Sequence, residues 1–357
     1  MSLPTTRSAL VGTANGNTIL AHEVPIPTLT GDEVLIRTEA IALNPVDAKM
    51  AGPYITEGSI AGVDVAGEIL AIGPDVDSND FNVGHRVIAG VFGMNPRRSA
   101  SGAFATYVVA SVALVVHIPD SMSYDVAASI PTPFMSTGLA LFYSLKFPYP
   151  ETPYKSDNPI IVLVSGGMTS CGTAATQLIR WAGMIPIVTC SPNHFEQVKA
   201  YGAEEAFDYN DPECAAKIKK FTKNNLKFAL DCATTTDSMK LCYASIGRAG
   251  GRYTALDPFS ATVAASRKVV KADWVMAISL FGEEVGWPEP HYRALDLDVK
   301  NFGTEWRIKL QDLLRDGSMN PHPIDTQFRG LEGGLEGMDQ LRKGLVRGKK
   351  LVCPIEH

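Results

Sequence analysis

The chain has 357 residues, of which 45% are hydrophobic and 20% charged, and a formal net charge of −6. That length accommodates two domains, and the composition is that of an ordinary soluble globular protein. The acidic balance argues against nucleic acid or an anionic membrane as a main partner. No apolar stretch approaches the roughly 20 residues of a membrane helix. Met1 to Arg7 lacks an apolar h-region, so no secretory signal is expected and a cytoplasmic protein is. Cys171, Cys190, Cys214, Cys232, Cys242 and Cys353 are scattered with no C-x-x-C, which predicts reduced, buried thiols rather than a disulfide framework or a zinc site.

Residues 1 to about 130 read as short strands broken by Gly, Pro and Asn. Strands are predicted at Ala9–Val11, Glu33–Thr38, Val65–Ile72, Arg86–Ala89 and Ala105–Val109, which suggests a barrel-like all-β domain. Phe147–Pro159, rich in Pro and polar residues, reads as a linker. From there to about 290, strands alternate with helices. Strands are predicted at Ile160–Val164, Ile185–Cys190, Ala206–Asp208, Phe228–Asp231, Gly251–Leu256 and Trp274–Phe281. Helices are predicted at Asn193–Tyr201 and Pro212–Thr222, and the alternation specifies a doubly wound parallel sheet. Beyond it come helices at Glu305–Leu314 and near Leu335–Gly344, then a terminal strand, Lys350–Cys353, with no partner sheet of its own nearby.

The chemistry centres on the turn after the strand at Ile160–Val164. It reads Gly166-Gly167-Met168-Thr169-Ser170-Cys171-Gly172, and helical spacing of Ala175, Leu178, Ile179 and Ala182 follows. A βαβ unit with such a turn presents N–H groups at a helix N-terminus, which suits a pyrophosphate. Thr169 and Ser170 can donate to phosphate as well as cap the helix; the plainer reading is a turn that only closes a βα loop. At the end of the second strand an NAD-binding sheet carries an acid for the ribose 2′-OH. Here Ser191-Pro192-Asn193-His194 stands instead, with no Asp or Glu, so NADP(H) is inferred. The same residues would also cap the next helix.

Four blocks occur in order in the first half: Asn44-Pro45-Val46-Asp47, Ala61 to Glu68, Val83-Gly84-His85-Arg86-Val87 and Gly102 to Val108. They resemble the medium-chain dehydrogenase/reductase superfamily, on its quinone-reductase and enoyl-reductase side. Ile185 to Pro192, Tyr201 to Tyr209, Thr222 to Leu226, Ala229 to Cys232 and Ile246 to Gly251 are most similar to fungal trans-acting enoyl reductases of the lovastatin-pathway type, which serve highly reducing polyketide synthases. The resemblance implies an α/β protein in which a Rossmann NADP(H)-binding domain, 131–290, accompanies a GroES-like β-barrel domain, 1–130 with 291–357. It also implies an active site in a cleft between the domains, where ligands commonly bind. A monomer is expected from the same likeness. Zinc-dependent relatives use a Cys near the Asn44 block, a Gly-His-Glu after it and a four-cysteine lobe. No cysteine precedes Cys171 here, and Gly62-Val63-Asp64 replaces the Gly-His-Glu, so no metal is expected.

Enoyl reduction sends a hydride to the β-carbon, stabilises the enolate with donors and delivers a proton to the α-carbon. Lys49 matches an active-site lysine of the trans-acting group and would steady the ribose, donate to the enolate or supply the proton. Thr137 matches a threonine facing the nicotinamide. Tyr54 resembles the tyrosine donor of mitochondrial enoyl reductases, one residue out of register. By the same likeness Val46, Asp47, Ala48 and Lys49, Gly166 and Gly167, Met168 to Cys171, Ser191 to His194, Tyr209, Leu256, Asp257, Val346 and Arg347 contact NADPH. The substrate side comprises Pro131, Thr132, Met135, Thr137, Gly138, Leu139, Ala140, Leu141, Phe142, Tyr143 and Ser144, with Ala277, Ile278, Ser279, Leu280 and Phe281. A lysine that often meets the 2′-phosphate is replaced by His194, so selectivity rests on Ser191, His194 and Tyr209. The expected reaction is reduction of an α,β-unsaturated thioester on the acyl carrier domain of a partner polyketide synthase. The rivals are a zinc-free quinone or enone reductase and a non-catalytic NADPH-binding partner of a synthase.

Overall fold

The computed structural model describes residues 3–151 and 159–356, so most of the expected Phe147–Pro159 linker lies outside the described residues. Two compact units emerge. One runs to Thr132 and resumes at Ile278; the other is Pro133–Ala277.

The first unit opens with an antiparallel pair, β1 (Thr6–Gly12) and β2 (Thr18–Pro25). Next come β3 (Glu33–Ala42), a single helical turn α1 (Pro45–Lys49), β4 (Asp64–Ile72), β5 (Arg86–Gly90), β6 (Tyr107–Ser111) and β7 (Val115–His117). β3 is the hub. Its N-terminal half pairs with β6 and its length with β4, and two register shifts against β4 bend it. Gly67 is required where β4 crosses it: a Cβ there would sit 1.9 Å from the Arg37 carbonyl oxygen. The short helix α2 (Tyr124–Ala128) follows; α3 (Pro131–Gly138), from Pro133 part of the second unit, continues as a π-turn over Leu139–Ser144.

The second unit holds β8 (Ile161–Ser165), α4 (Ser170–Trp181), β9 (Ile185–Cys190), α5 (Phe195–Ala200), β10 (Glu205–Asp208), α6 (Cys214–Phe221), β11 (Phe228–Asp231), α7 (Thr236–Ser245), β12 (Gly251–Ala255), α8 (Ala261–Ser266) and β13 (Val270–Trp274). All six strands are parallel in the order β10-β9-β8-β11-β12-β13, the doubly wound arrangement that the alternation predicts. Its core packs Leu163, Ile187, Ala229, Met239 and Tyr253, all at most 1% exposed.

The expected strand at Trp274–Phe281 is not one. The sixth strand is Val270–Trp274, and Ala277–Phe281 forms a 3₁₀ turn. The edge strand alternates buried or half-buried Val270, Ala272 and Trp274 with exposed Lys271 and Asp273. The following apolar run imitates a buried strand, a short-run ambiguity that periodicity alone does not resolve.

The chain then returns to the first unit through α9 (Leu297–Arg315), β14 (Ile324–Asp325), α10 (Gly330–Arg342) and β15 (Lys350–Pro354). α9 starts eight residues before the expected Glu305, because the Asp296 side chain accepts the N–H groups of Asp298 and Val299 and caps it there. β15 pairs antiparallel with β3, Val352 opposite Ala42, so the terminal strand does find a sheet.

Candidate active site

The glycine turn is closely packed around backbone that leaves no room for side chains. Gly166 has φ +76°, a conformation that favours glycine. A Cβ on Gly167 would meet Val188 at 2.6 Å, and one on Gly172 would meet the Gly166 carbonyl oxygen at 2.2 Å. Thr169 caps α4: its hydroxyl donates to the Gly166 carbonyl at 2.8 Å and accepts the Gly172 N–H at 3.0 Å. Its one proton is therefore engaged inside the turn rather than turned outward to a phosphate. Ser170 and Cys171 are half-buried in the first turn of α4 and Met168 is buried.

Ser191, Pro192, Asn193 and His194 follow β9, the last three as one 3₁₀ turn. The Ser191 hydroxyl lies 3.2 Å from the Tyr209 hydroxyl, and His194 Nδ1 lies 3.2 Å from Gln197 Oε1. Tyr209 follows β10, and Leu256 and Asp257 follow β12. Because the strands are parallel, these segments and the turn after β8 share one edge of the sheet, its C-terminal edge, where α/β sheets bind ligands.

In the first unit, α1 presents an exposed Lys49 and a half-buried Val46, with Asp47 and Ala48 buried beneath. The Ala48 carbonyl accepts from Arg342 Nε at 3.0 Å. Asp47 accepts the Asn44 N–H at 2.7 Å. Burial, and then the charge of Asp64, pushes its carboxyl up to about 8, against the Asn44 hydrogen bond and the nearby Lys350. Below α1 the Lys350 ammonium donates to Asp64 Oδ2 and Asn44 Oδ1, and Thr132 donates to Asp64 Oδ1 through both its N–H and its hydroxyl. Val346 and Arg347 border a cavity of about 260 Å³ with Phe328 and Lys349.

Tyr54, in the 3₁₀ turn Gly52–Tyr54, places its hydroxyl 2.9 Å from His291 Nδ1. Its ring packs edge-on against Trp287, whose indole N–H donates to the Met94 carbonyl at 2.9 Å. Trp287 meets Phe92 edge-on, and Phe92 stacks on Phe281. Aromatic packing thus joins Tyr54 to one residue of the expected substrate stretch.

The other stretch is mostly inside. Pro131, Met135, Gly138 to Phe142 and Ser144 are buried, with Thr132 and Tyr143 half-buried. Thr137 is fully buried and donates to the Pro133 carbonyl at 2.7 Å, as a helix-interior threonine does. Ser144 donates to Asp273 at 2.6 Å and lies 2.9 Å from the Thr254 hydroxyl, which ties it to β12 and β13. Among the described residues no three His, Cys, Asp or Glu side chains are grouped to hold a metal ion, and no helix is long and apolar enough to cross a membrane.

Two family models match: the alcohol dehydrogenase GroES-like domain over residues 30–120 and the zinc-binding dehydrogenase over residues 171–256. The trans-enoyl reductase phm4 of a Pyrenochaetopsis species is 52% identical over 98% of this chain and 97% of its own length. The trans-enoyl reductase pvhC of Talaromyces variabilis is 49% identical over 98% of this chain and 97% of its own. The chain belongs to the trans-enoyl reductases. The fold is shared with a crystal structure of a putative zinc-dependent alcohol dehydrogenase protein from Rhizobium etli CFN 42, with a TM-score of 0.80 and 21% identity over 99% of this chain and all of that one.

As an oxidoreductase, this trans-enoyl reductase takes a nicotinamide dinucleotide, and the turn at Gly166–Gly172 fits the pyrophosphate. The first-turn N–H groups of a helix have no intrahelical acceptor, and glycines close the turn without side chains in the way. Asp64, Lys350 and His291, which hydrogen-bond to Asn44 or Tyr54, are contacts that the sequence does not reveal. Asn44 and Asp47, three apart, mark a helix start, but nothing in the spacing links them to Lys350.

Proposed function

We propose that this protein reduces an α,β-unsaturated polyketide thioester with NADPH, acting in trans on a carrier-bound chain of a partner polyketide synthase. The observation that carries the reading is the 52% identity, over 98% of the chain, with a trans-enoyl reductase. The two-unit architecture supports it, with a GroES-like unit for substrate and a Rossmann unit for cofactor. NADPH rather than NADH is supported by Ser191 and His194 standing after β9, where a carboxylate would repel a 2′-phosphate, with the Tyr209 hydroxyl beside Ser191.

Bound NADPH supplies a hydride to the β-carbon of the enoyl group. The turn at Gly166–Cys171 holds the pyrophosphate, and Ser191 to His194 with Tyr209 hold the phosphorylated ribose. Leu256, Asp257, Val346 and Arg347 complete the cofactor contacts. The exposed Lys49 ammonium donates to the ribose and to the enolate oxygen, on a helical turn fixed by buried Asp47. Thr137, fully buried with its proton held by Pro133, shapes α3 on the cofactor side rather than touching the nicotinamide itself. Tyr54 donates the proton to the α-carbon. Ala277 to Phe281 accommodate the acyl chain, together with Thr132 and Tyr143, the half-buried residues of the Pro131 to Ser144 stretch.

The test is NADPH oxidation by the purified protein with an enoyl thioester on a pantetheine carrier, set against a simple quinone. Turnover of the thioester, with NADH much poorer, is expected. Turnover of the quinone alone would make it a quinone reductase. Tight NADPH binding with no turnover, even with a synthase added, would make it a binding partner.

A further inference from the structure

β8 and β11 lie side by side in the middle of the parallel sheet, with Ser165 opposite Asp231. From β8 the chain winds to β9 and β10 on one side, and β11, β12 and β13 follow on the other. The C-terminal ends of β8 and β11 therefore flank the topological switch point, the crevice where doubly wound sheets bind ligands. The glycine turn after β8 forms one wall. Cys232 to Thr235, the loop between β11 and α7, forms the other. The two walls touch. The Cys232 N–H donates to the Ser165 carbonyl at 3.0 Å, and a Cβ on Gly166 would lie 3.2 Å from the Ala233 nitrogen.

The second wall has an uncommon backbone. Thr234 has φ +47°, a left-handed conformation that a β-branched residue rarely adopts. The Asp231 carboxylate holds it there. Its Oδ1 accepts the Ala233 N–H at 3.1 Å and the Thr234 N–H at 3.0 Å. The Thr234 hydroxyl donates to the Asp231 carbonyl at 3.0 Å. Both loop N–H groups thus turn onto the strand end, while Ala233 stays exposed beside Gly166. The other carboxylate oxygen is anchored in the fold. Oδ2 accepts the Ser238 hydroxyl of α7 at 2.7 Å and the Tyr253 hydroxyl of β12 at 2.9 Å. Asp231 is fully buried, so its donors are all protein groups and it is a fixed point of the fold.

We infer that Asp231 is a positioning residue for the nicotinamide dinucleotide. This rests on the reading that the glycine turn holds the pyrophosphate. Asp231 does not touch the cofactor. Through Oδ1 it sets the backbone of the wall that stands against Gly166, and through Oδ2 it ties that wall to α7 and β12. A strained conformation persists only where its surroundings over-determine it, and such residues gather at binding sites. Without the carboxylate both N–H groups lose their acceptor, Thr234 relaxes to an ordinary φ, and Ala233 shifts against Gly166.

The experiment compares wild type, Asp231→Ala, Asp231→Asn, Tyr253→Phe and Thr234→Pro by NADPH fluorescence titration, kinetics with crotonyl-pantetheine, and urea denaturation. Asp231→Ala is expected to raise the NADPH Kd about tenfold or more, because two N–H groups lose a charged acceptor. KM for NADPH should rise with it, while KM for the thioester stays. Asparagine keeps an oxygen at Oδ1 and turns its NH2 group to the two hydroxyls, so Asp231→Asn should recover most of the affinity. Tyr253→Phe removes only a bond to Oδ2. It should lower the urea midpoint yet leave the NADPH Kd within about twofold, which separates positioning from stability. Thr234→Pro locks φ at about −65° and removes one N–H. It should weaken NADPH as Asp231→Ala does, with Asp231 and its bonds to Ser238 and Tyr253 intact. If Asp231→Ala does not fold, Thr234→Pro decides. A folded Asp231→Ala or Thr234→Pro that binds NADPH as wild type does would overturn the inference. So would a Tyr253→Phe that loses as much affinity as Asp231→Ala, since the effect would then be one of stability. A wild-type protein that binds neither NADPH nor NADH overturns the reading of the glycine turn and this inference with it. Wild-type binding beside indifferent variants overturns this inference alone.

Discussion

Lys350 Nζ sits 2.8 Å from Asp64 Oδ2, and both side chains are buried, at 3% and 0% exposure. The pair links the first residue of β15 to the first residue of β4, 286 positions apart. Through Asn44 Oδ1, 2.7 Å from the same ammonium, it also anchors the start of α1. A buried charge pair costs desolvation that its own attraction only partly offsets. Here Asp64 gains further donors from Thr132 and Asn44, so the carboxylate is well satisfied.

Removing one member therefore strands the other. Lys350→Met is expected to destabilise the first unit by about 3–5 kcal/mol, because Asp64 stays buried without its cation. Adding Asp64→Asn to that variant should recover part of the loss, since the leftover charge is then gone. Urea denaturation of the two variants and wild type measures both steps. Equal stability of Lys350→Met and wild type would show that the pair is not intact in solution.

Asp47 gives stability a pH dependence of opposite sign to the usual carboxylate. Burial pushes its carboxyl from the ordinary 3.8 up to about 8. The folded chain thus holds one more proton than the unfolded chain between those values. Stability from this group is complete below about 4, falls as pH rises, by up to about 1.4 kcal/mol per pH unit, and levels off once the folded carboxyl ionises near 8. Asp47→Asn removes the titration. The stability difference between wild type and Asp47→Asn, from urea melts at pH 5 to 9, should therefore shrink or reverse as pH rises.

The glycine turn separates backbone demand from hydrogen bonding. Gly172→Ala puts a Cβ 2.2 Å from a backbone oxygen, which cannot rotate away. It should weaken NADPH binding at least about tenfold by fluorescence titration, a loss of roughly 1.4 kcal/mol. Thr169→Ala removes only the cap of α4 and should cost about 1 kcal/mol of stability, with a smaller effect on binding because its proton is already committed to Gly166.

Local pattern made the nucleotide-binding unit legible. Phe228–Asp231 is a strand at the expected residues, since a buried parallel strand is a continuous apolar run bounded by turns. β2, half-exposed along much of its length, and the three-residue β7 offer too little alternation to be seen. Ala277–Phe281 misleads for the converse reason: its apolar residues pack as a 3₁₀ turn. The glycine turn is visible because glycine, hydroxyl and helix lie within seven residues. Asp64–Lys350 and Tyr54–His291 are not visible, because each joins residues more than 200 positions apart through the tertiary fold.

The proposed preference for NADPH is tested at the end of β9. The hydroxyls of Ser191 and Tyr209 face each other at 3.2 Å on the sheet's C-terminal edge, and Tyr209 is 48% exposed. On the proposed reading these uncharged donors would accept a 2′-phosphate, and a carboxylate would repel it. Two unit charges at 4 Å interact by about 1–4 kcal/mol between bulk water and a protein surface, so Ser191→Asp should weaken NADPH at least about tenfold. NADH, with a 2′-hydroxyl to donate to the new carboxylate, should bind as well as before or better. Tyr209→Phe keeps the site neutral and should weaken NADPH only modestly. Titrating both cofactors against the three proteins decides it: if Ser191→Asp leaves the NADPH-to-NADH ratio unchanged, the phosphate is held elsewhere.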